Sequence, residues 1–126
     1  MVDEALSRMS LTEISEALVK REESSQEVVR NSLEELEKRG PSLNCVARLF
    51  PEQALAEAES ADLELSSGIS PGPLHGVPLL HKDMFYRTGK ISACGSKICK
   101  DFVPDATATA LLKLDQAGAL DIGRLK

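Results

Sequence analysis

The sequence predicts an α/β fold in which helices come first and strands follow. Three observations predict it. Apolar residues recur at helical spacing through the first half; a short apolar run at Val77, Leu79 and Leu80 ends in His81, Lys82 and Asp83; and a strand, helix, strand order closes the chain. A crossover of that length favours parallel pairing of the two strands through a right-handed connection.

The first helix is expected from about Leu11 to Arg21, with Leu11, Ile14, Ala17 and Leu18 on one face and Ser10 and Glu13 spaced as a capping box. Ser24 or Ser25 can cap the next, whose Val28, Val29, Leu33 and Leu36 form its apolar stripe and whose stop signal is Gly40 and Pro41. Its remaining residues, Glu27, Arg30, Glu34, Glu37 and Lys38, read as a solvated face. Cys45 to Leu49 is a short extended candidate, after which Pro51 opens an Ala-, Leu- and Glu-rich helix running to Glu64.

Ser, Gly and Pro break any period from Ser66 to Gly76, the one plausible boundary between an acidic helical layer (residues 1–65) and a strand-bearing part (77–126). Arg87 to Pro104 reads as a long ordered loop. A last helix opens near Ala108, with Thr107 as a candidate cap and Ala110, Leu111, Leu114 and Ala117 facing inward. Gly118 ends it, and Leu120 and Ile122 suggest a strand.

At 126 residues and 42% hydrophobic content the chain is long enough for one core, and its few aromatics (one Tyr, three Phe, no Trp) leave the packing to aliphatic side chains. Residues 1–64 carry 7 basic and 15 acidic side chains, residues 65–126 carry 8 and 5. No concentrated basic stripe is present, which argues against nucleic-acid binding. Three cysteines, Cys45, Cys94 and Cys99, and no basic segment leading into an apolar run fit a cytoplasmic protein, and no stretch approaches the ~20 apolar residues of a membrane span.

Lys82 is the candidate for chemistry. An amine at the end of a buried strand is desolvated, which disfavours the ammonium form and makes a usable base. The competing reading is structural: Lys82 extends its ammonium to water or pairs with Asp83 or another carboxylate. If the strand persists, Asp83 points to the opposite face, where it can anchor the following loop through backbone amides.

The run GPLHGVPLLHKDMF (72–85), followed by ACGSK (93–97), FVPDATATALLKLDQAGA (102–119) and IG (122–123), resembles the amidase-signature family, and the likeness extends over nearly the whole chain from Leu11. It implies a fragment of that fold: amino-terminal helices and the first strands of a mixed sheet. It also implies that Lys82 is the base of a Ser-cis-Ser-Lys unit hydrolysing linear C–N amide bonds, with no cofactor. The Gly/Ser-rich segment bearing both serines lies downstream of the last matched strand in the family, and the sequence does not contain it. Lys126 stands where the family has asparagine, as a truncated or frameshifted end would give.

Ser92 and Ser96 have no counterpart as nucleophiles in the family. His75 and His81 with Cys94 and Cys99 have the side chains for zinc, but their spacing fits no paired-ligand pattern, so no metal is expected. The resulting expectation is a hydrolase piece, inactive alone, whose complete form takes a small amide substrate. A sheet of two or three strands would leave an open edge, so self-association or pairing with a missing remainder is expected. The alternatives are a non-catalytic interaction module and a fragment of an amidotransferase whose substrate is an aminoacyl-tRNA.

Overall fold

The computed structural model describes residues 1–69 and 72–126. The element order is α1 (Glu4–Ser7), α2 (Leu11–Val19), α3 (Ser25–Leu43), β1 (Val46–Leu49), α4 (Pro51–Ser66), β2 (Pro78–Lys82), α5 (Thr109–Gln116) and β3 (Leu120–Leu125). The architecture is α/β with a three-stranded mixed sheet. Ser70 and Pro71, part of the expected loop from Ser66 to Gly76, lie outside the described residues.

The helix starts follow local chemistry. Ser10 and Glu13 close a capping box on α2, and Ser24 with Glu27 closes another on α3. Ser25, the other candidate cap, is instead fully buried; its Oγ donates to Gly76 O at 2.6 Å and its N–H to Asp62 Oδ1 at 2.6 Å. The four-residue α1 has no counterpart among the sequence-based expectations, although Asp3 accepts from the N–H groups of Ala5 and Leu6 as a cap should. Asn31 on α3 holds it in place, accepting from Asp3 N–H at 2.6 Å and donating to Ser7 Oγ at 2.9 Å.

Gly40 and Pro41 do not stop α3, contrary to expectation. The helix runs on to Leu43 and ends where Asn44 adopts the left-handed conformation (φ 49°). Gly40 has a packing role: a Cβ there would sit 3.1 Å from Val46 Cγ2, so its absence lets β1 fold back against the helix. Thr107 does not cap α5 either, because its Oγ1 accepts from Thr88 N–H at 3.0 Å, and Ala110 faces outward.

The strand order is β1-β3-β2, with β3 antiparallel to β1 and parallel to β2. β1 comes from the acidic half of the chain, so both halves build one sheet. On one face Val29, Leu33, Ala54 and Ala58 of α3 and α4 pack on Leu120 and Ile122, joined by Leu49 and Leu80. Burying one such aliphatic side chain stabilises by about 1.5–3 kcal/mol. A second cluster of Leu6, Leu18, Val28 and Val77 seats α1 and α2 against the entry to β2.

The β2–β3 register jumps by one residue: Leu79 is opposite Asp121 and Leu80 opposite Gly123. Ile122 is the extra residue of a bulge, which restarts the alternation of faces. Asp121 and Arg124, three apart, thereby share the face away from α3 and α4, while Ile122 stays in the core. Gly123 has no room for a side chain, since a Cβ would lie 2.5 Å from Arg48 O and 2.9 Å from Leu49 Cδ2.

Candidate active site around Lys82

Among the described residues β2 is an edge strand, and its last residue is Lys82. Alternation sends His81 and Asp83 to the face away from α3 and α4, where both are buried, and Lys82 to the other side. The expected shielding of Lys82 is not found: its side chain is exposed, and no hydrogen bond or ion pair to Nζ occurs among the described residues. With its side chain exposed, Lys82 keeps its contact with water as far as the described residues go.

Asp83 does hold the following loop, its carbonyl taking a backbone amide and its carboxylate acting through an arginine. Its carboxylate Oδ1 accepts from Arg48 Nη2, which also donates to Ile91 O at 2.9 Å. The main chain of Asp83 is engaged too: its N–H donates to Leu125 O at 2.9 Å and its carbonyl accepts from Cys94 N–H at 3.2 Å. Arg48 is absent from the candidates that the sequence suggests. A signal for it exists, because a guanidinium inside the apolar run Val46 to Leu49 is the same collision of charge and strand that marks Lys82.

Beside this pair lies a second ionic group. Arg87 donates to both carboxylate oxygens of Asp115 (2.8 and 3.0 Å) and its Nε lies 2.6 Å from Asp121 Oδ2, so the loop after β2 is tied to α5 and β3. Arg124 is wholly buried, its Nη1 on Asp121 at 3.1 Å and its guanidinium 5.9 Å over the Phe50 ring. His81 sits among these charges. Burial pushes its pKa below the ordinary 6.5; Asp121 opposes the shift, and Arg124 and Arg87 reinforce it.

Ser92 is buried and spends its hydroxyl on Phe85 O at 3.2 Å, and Ser96 Oγ accepts from Ile98 N–H at 3.2 Å. His75 is buried with Nε2 2.9 Å from Ala61 O. Cys94 is exposed and Cys99 half-buried, both free thiols. Among the described residues no group of three or more His, Cys, Asp or Glu side chains could hold a metal ion, and no helix is long and apolar enough to cross a membrane.

A three-stranded mixed sheet packed on α3 and α4, with an ionic lattice on its other face, makes this an α/β protein piece. Its family follows from comparison. A family model described as Amidase matches residues 27–126, and the chain belongs to that family, the amidase-signature enzymes.

The chain is 38% identical over 123 residues to AmiD of Mycobacterium tuberculosis, a provisionally named amidase, covering 98% of this chain and 26% of that protein. It is 41% identical over 116 residues to a glutamyl-tRNA(Gln) amidotransferase component from Bdellovibrio bacteriovorus, covering 92% and 24%. Among solved structures, fatty acid amide hydrolase superposes with a TM-score of 0.90 at 27% identity, over 97% of this chain and 22% of that one. The chain thus spans about a quarter of the length of the relatives it matches.

Proposed function

We propose that this chain is the lysine-bearing part of an enzyme that hydrolyses linear C–N amide bonds, with Lys82 as the base of a Ser-cis-Ser-Lys unit whose two serines come from outside these 126 residues. The observation that carries the reading is the opposite fate of two neighbours, Lys82 and Asp83, at the end of β2. Asp83 is locked inward, and Lys82 is left outward with an amine that no described residue engages. Structural pairing is the common fate of a lysine at such a place, and here Asp83 has taken Arg48 instead.

In the complete site a serine hydroxyl attacks the amide carbonyl and passes its proton through the bridging serine to the neutral Lys82 amine. The tetrahedral intermediate collapses, the C–N bond breaks, and the leaving amine takes the proton back. Water then attacks the acyl ester and restores the serine.

The surface next to Lys82 suits such a complement. Met84, Phe85, Tyr86, Phe102 and Val103 are exposed around the end of β2, Tyr86 and Phe102 stack edge to face at 5.3 Å, and the outer edge of β2 is unpaired among the described residues. A second reading, a part of an amidotransferase whose substrate is an aminoacyl-tRNA, is favoured by relatives named for that enzyme at 35–41% identity.

The test is an amide-hydrolysis assay on the chain alone and on the chain joined to the remaining three-quarters of an amidase relative. The chain alone should be silent. The joined protein should turn over simple amides and lose that activity on Lys82→Ala. Turnover that survives Lys82→Ala removes the base assignment, and turnover seen only with glutamine and charged tRNA selects the second reading.

A further inference from the structure

We propose that Arg48 is a positioning residue for Lys82, acting through Asp83. The inference rests on the reading of Lys82 as the base and deepens it, by naming what holds that base at its post.

The geometry is a clamp that spans the sheet. Arg48 lies on β1 and Asp83 follows β2, the two outer strands, with β3 between them. In the register Arg48 is opposite Arg124, and Arg124 opposite His81, so Arg48 shares a face with His81 and Asp83. From there its Nη2 joins Asp83 Oδ1 and Ile91 O, so that one nitrogen fastens the first strand, the end of the second and the loop beyond it.

Every polar group of Asp83 that could fix the backbone is engaged. The carboxylate meets Arg48, the N–H meets Leu125 O and the carbonyl meets Cys94 N–H. One residue back, Lys82 O accepts from Phe85 N–H at 3.1 Å. The Lys82 side chain has no partner among the described residues, so the path of this backbone decides where the amine starts and which way it leaves the sheet. Among the described residues β2 is paired on one edge, and an end strand pinned on one side frays unless something else holds its last residues. Arg48 supplies that hold from the far side of the sheet.

The ion pair is largely withdrawn from solvent, with side-chain exposures of 30% for Arg48 and 6% for Asp83. Its loss would therefore be felt locally as well as in overall stability. The neighbouring lattice of Arg87, Asp115, Asp121 and Arg124 shares the face but none of the Arg48 contacts, which makes it the natural control.

The experiment uses the 126-residue chain, with its lysines reductively methylated with a carbon-13 label and the Lys82 signal assigned by its disappearance in Lys82→Arg. Arg48→Gln and Asp83→Asn should each move the Lys82 methyl signal. They should also speed hydrogen exchange at the Phe85 and Cys94 amides by about tenfold relative to the Leu120 amide, which bonds Val77 O at the other end of the strand. Arg48→Lys should return the Lys82 signal part of the way, and Asp121→Asn should leave it unmoved.

A Lys82 signal unchanged in Arg48→Gln, with Phe85 and Cys94 as protected relative to Leu120 as before, overturns the proposal. An equal shift in Asp121→Asn overturns it too, since it would mean general loosening. Failure of the base assignment reads differently: hydrolysis by the joined protein would survive Lys82→Ala while the clamp's signature in the isolated chain stayed intact.

Discussion

Ser25 Oγ donates a 2.6 Å hydrogen bond to the carbonyl of Gly76, tying the first turn of α3 to the residue that turns the chain into β2. Gly76 takes a positive φ of 76°, and a Cβ there would sit 2.9 Å from that same Ser25 Oγ. Both the conformation and the contact require glycine. Gly76→Ala is expected to destabilise the chain by about 2 kcal/mol, read as a lower urea midpoint. An unchanged midpoint would show that the turn can relax without cost.

Lys82→Ala should do the opposite of what a structural lysine would. With an exposed side chain and no described partner, its loss should change stability by less than about 0.5 kcal/mol. A large drop in the urea midpoint would place Lys82 in the scaffold and weaken its assignment to catalysis.

His81 supplies a pH dependence with a definite sign. Burial holds its folded pKa below the ordinary 6.5, so the folded chain binds the proton less well than the unfolded one. Its contribution is fully present above about 6.5 and is lost as pH falls from there towards the depressed folded value. The urea midpoint of the native chain should fall more between about pH 7 and about pH 5 than that of His81→Asn. Equal falls would show that His81 charges freely in the folded state.

Pro41 lies inside α3, where it lacks the N–H that Glu37 O would otherwise receive. Pro41→Ala should raise stability by about 1 kcal/mol, less than the full interior penalty because the site is in the last turn. Thermal denaturation checks the sign, and a lowered midpoint would mean that the proline ring is needed where α3 gives way to β1.

What could be read from the residues followed the strength of local signals. The helices at Leu11, Ser25 and Pro51 carry caps or a proline at the start, and these are short-range chemistry that a sequence displays. Gly40 misleads because its reason is tertiary: it makes room for Val46, and a glycine needed for contact looks the same as one needed for a turn. Thr107 misleads likewise, its hydroxyl being taken by Thr88 across the loop. Lys82 does end a strand as its apolar run suggests, but its exposure depends on which layer covers that end, and no periodicity reports that. The Arg48–Asp83 pair joins residues 35 apart through a strand that comes last in the sequence, and the bulge at Ile122 that lets Asp121 face Arg124 leaves no local signature.

β3 lies between β1 and β2 and is synthesised after both of them. On a ribosome β1 and β2 emerge before the strand that separates them, and until it arrives neither has the partner it pairs with in this sheet. The temptation in that interval is for β1 and β2 to pair with each other or with a neighbouring nascent chain, so the yield of correctly assembled protein should depend on how quickly Leu120 to Leu125 follow Lys82 into the open.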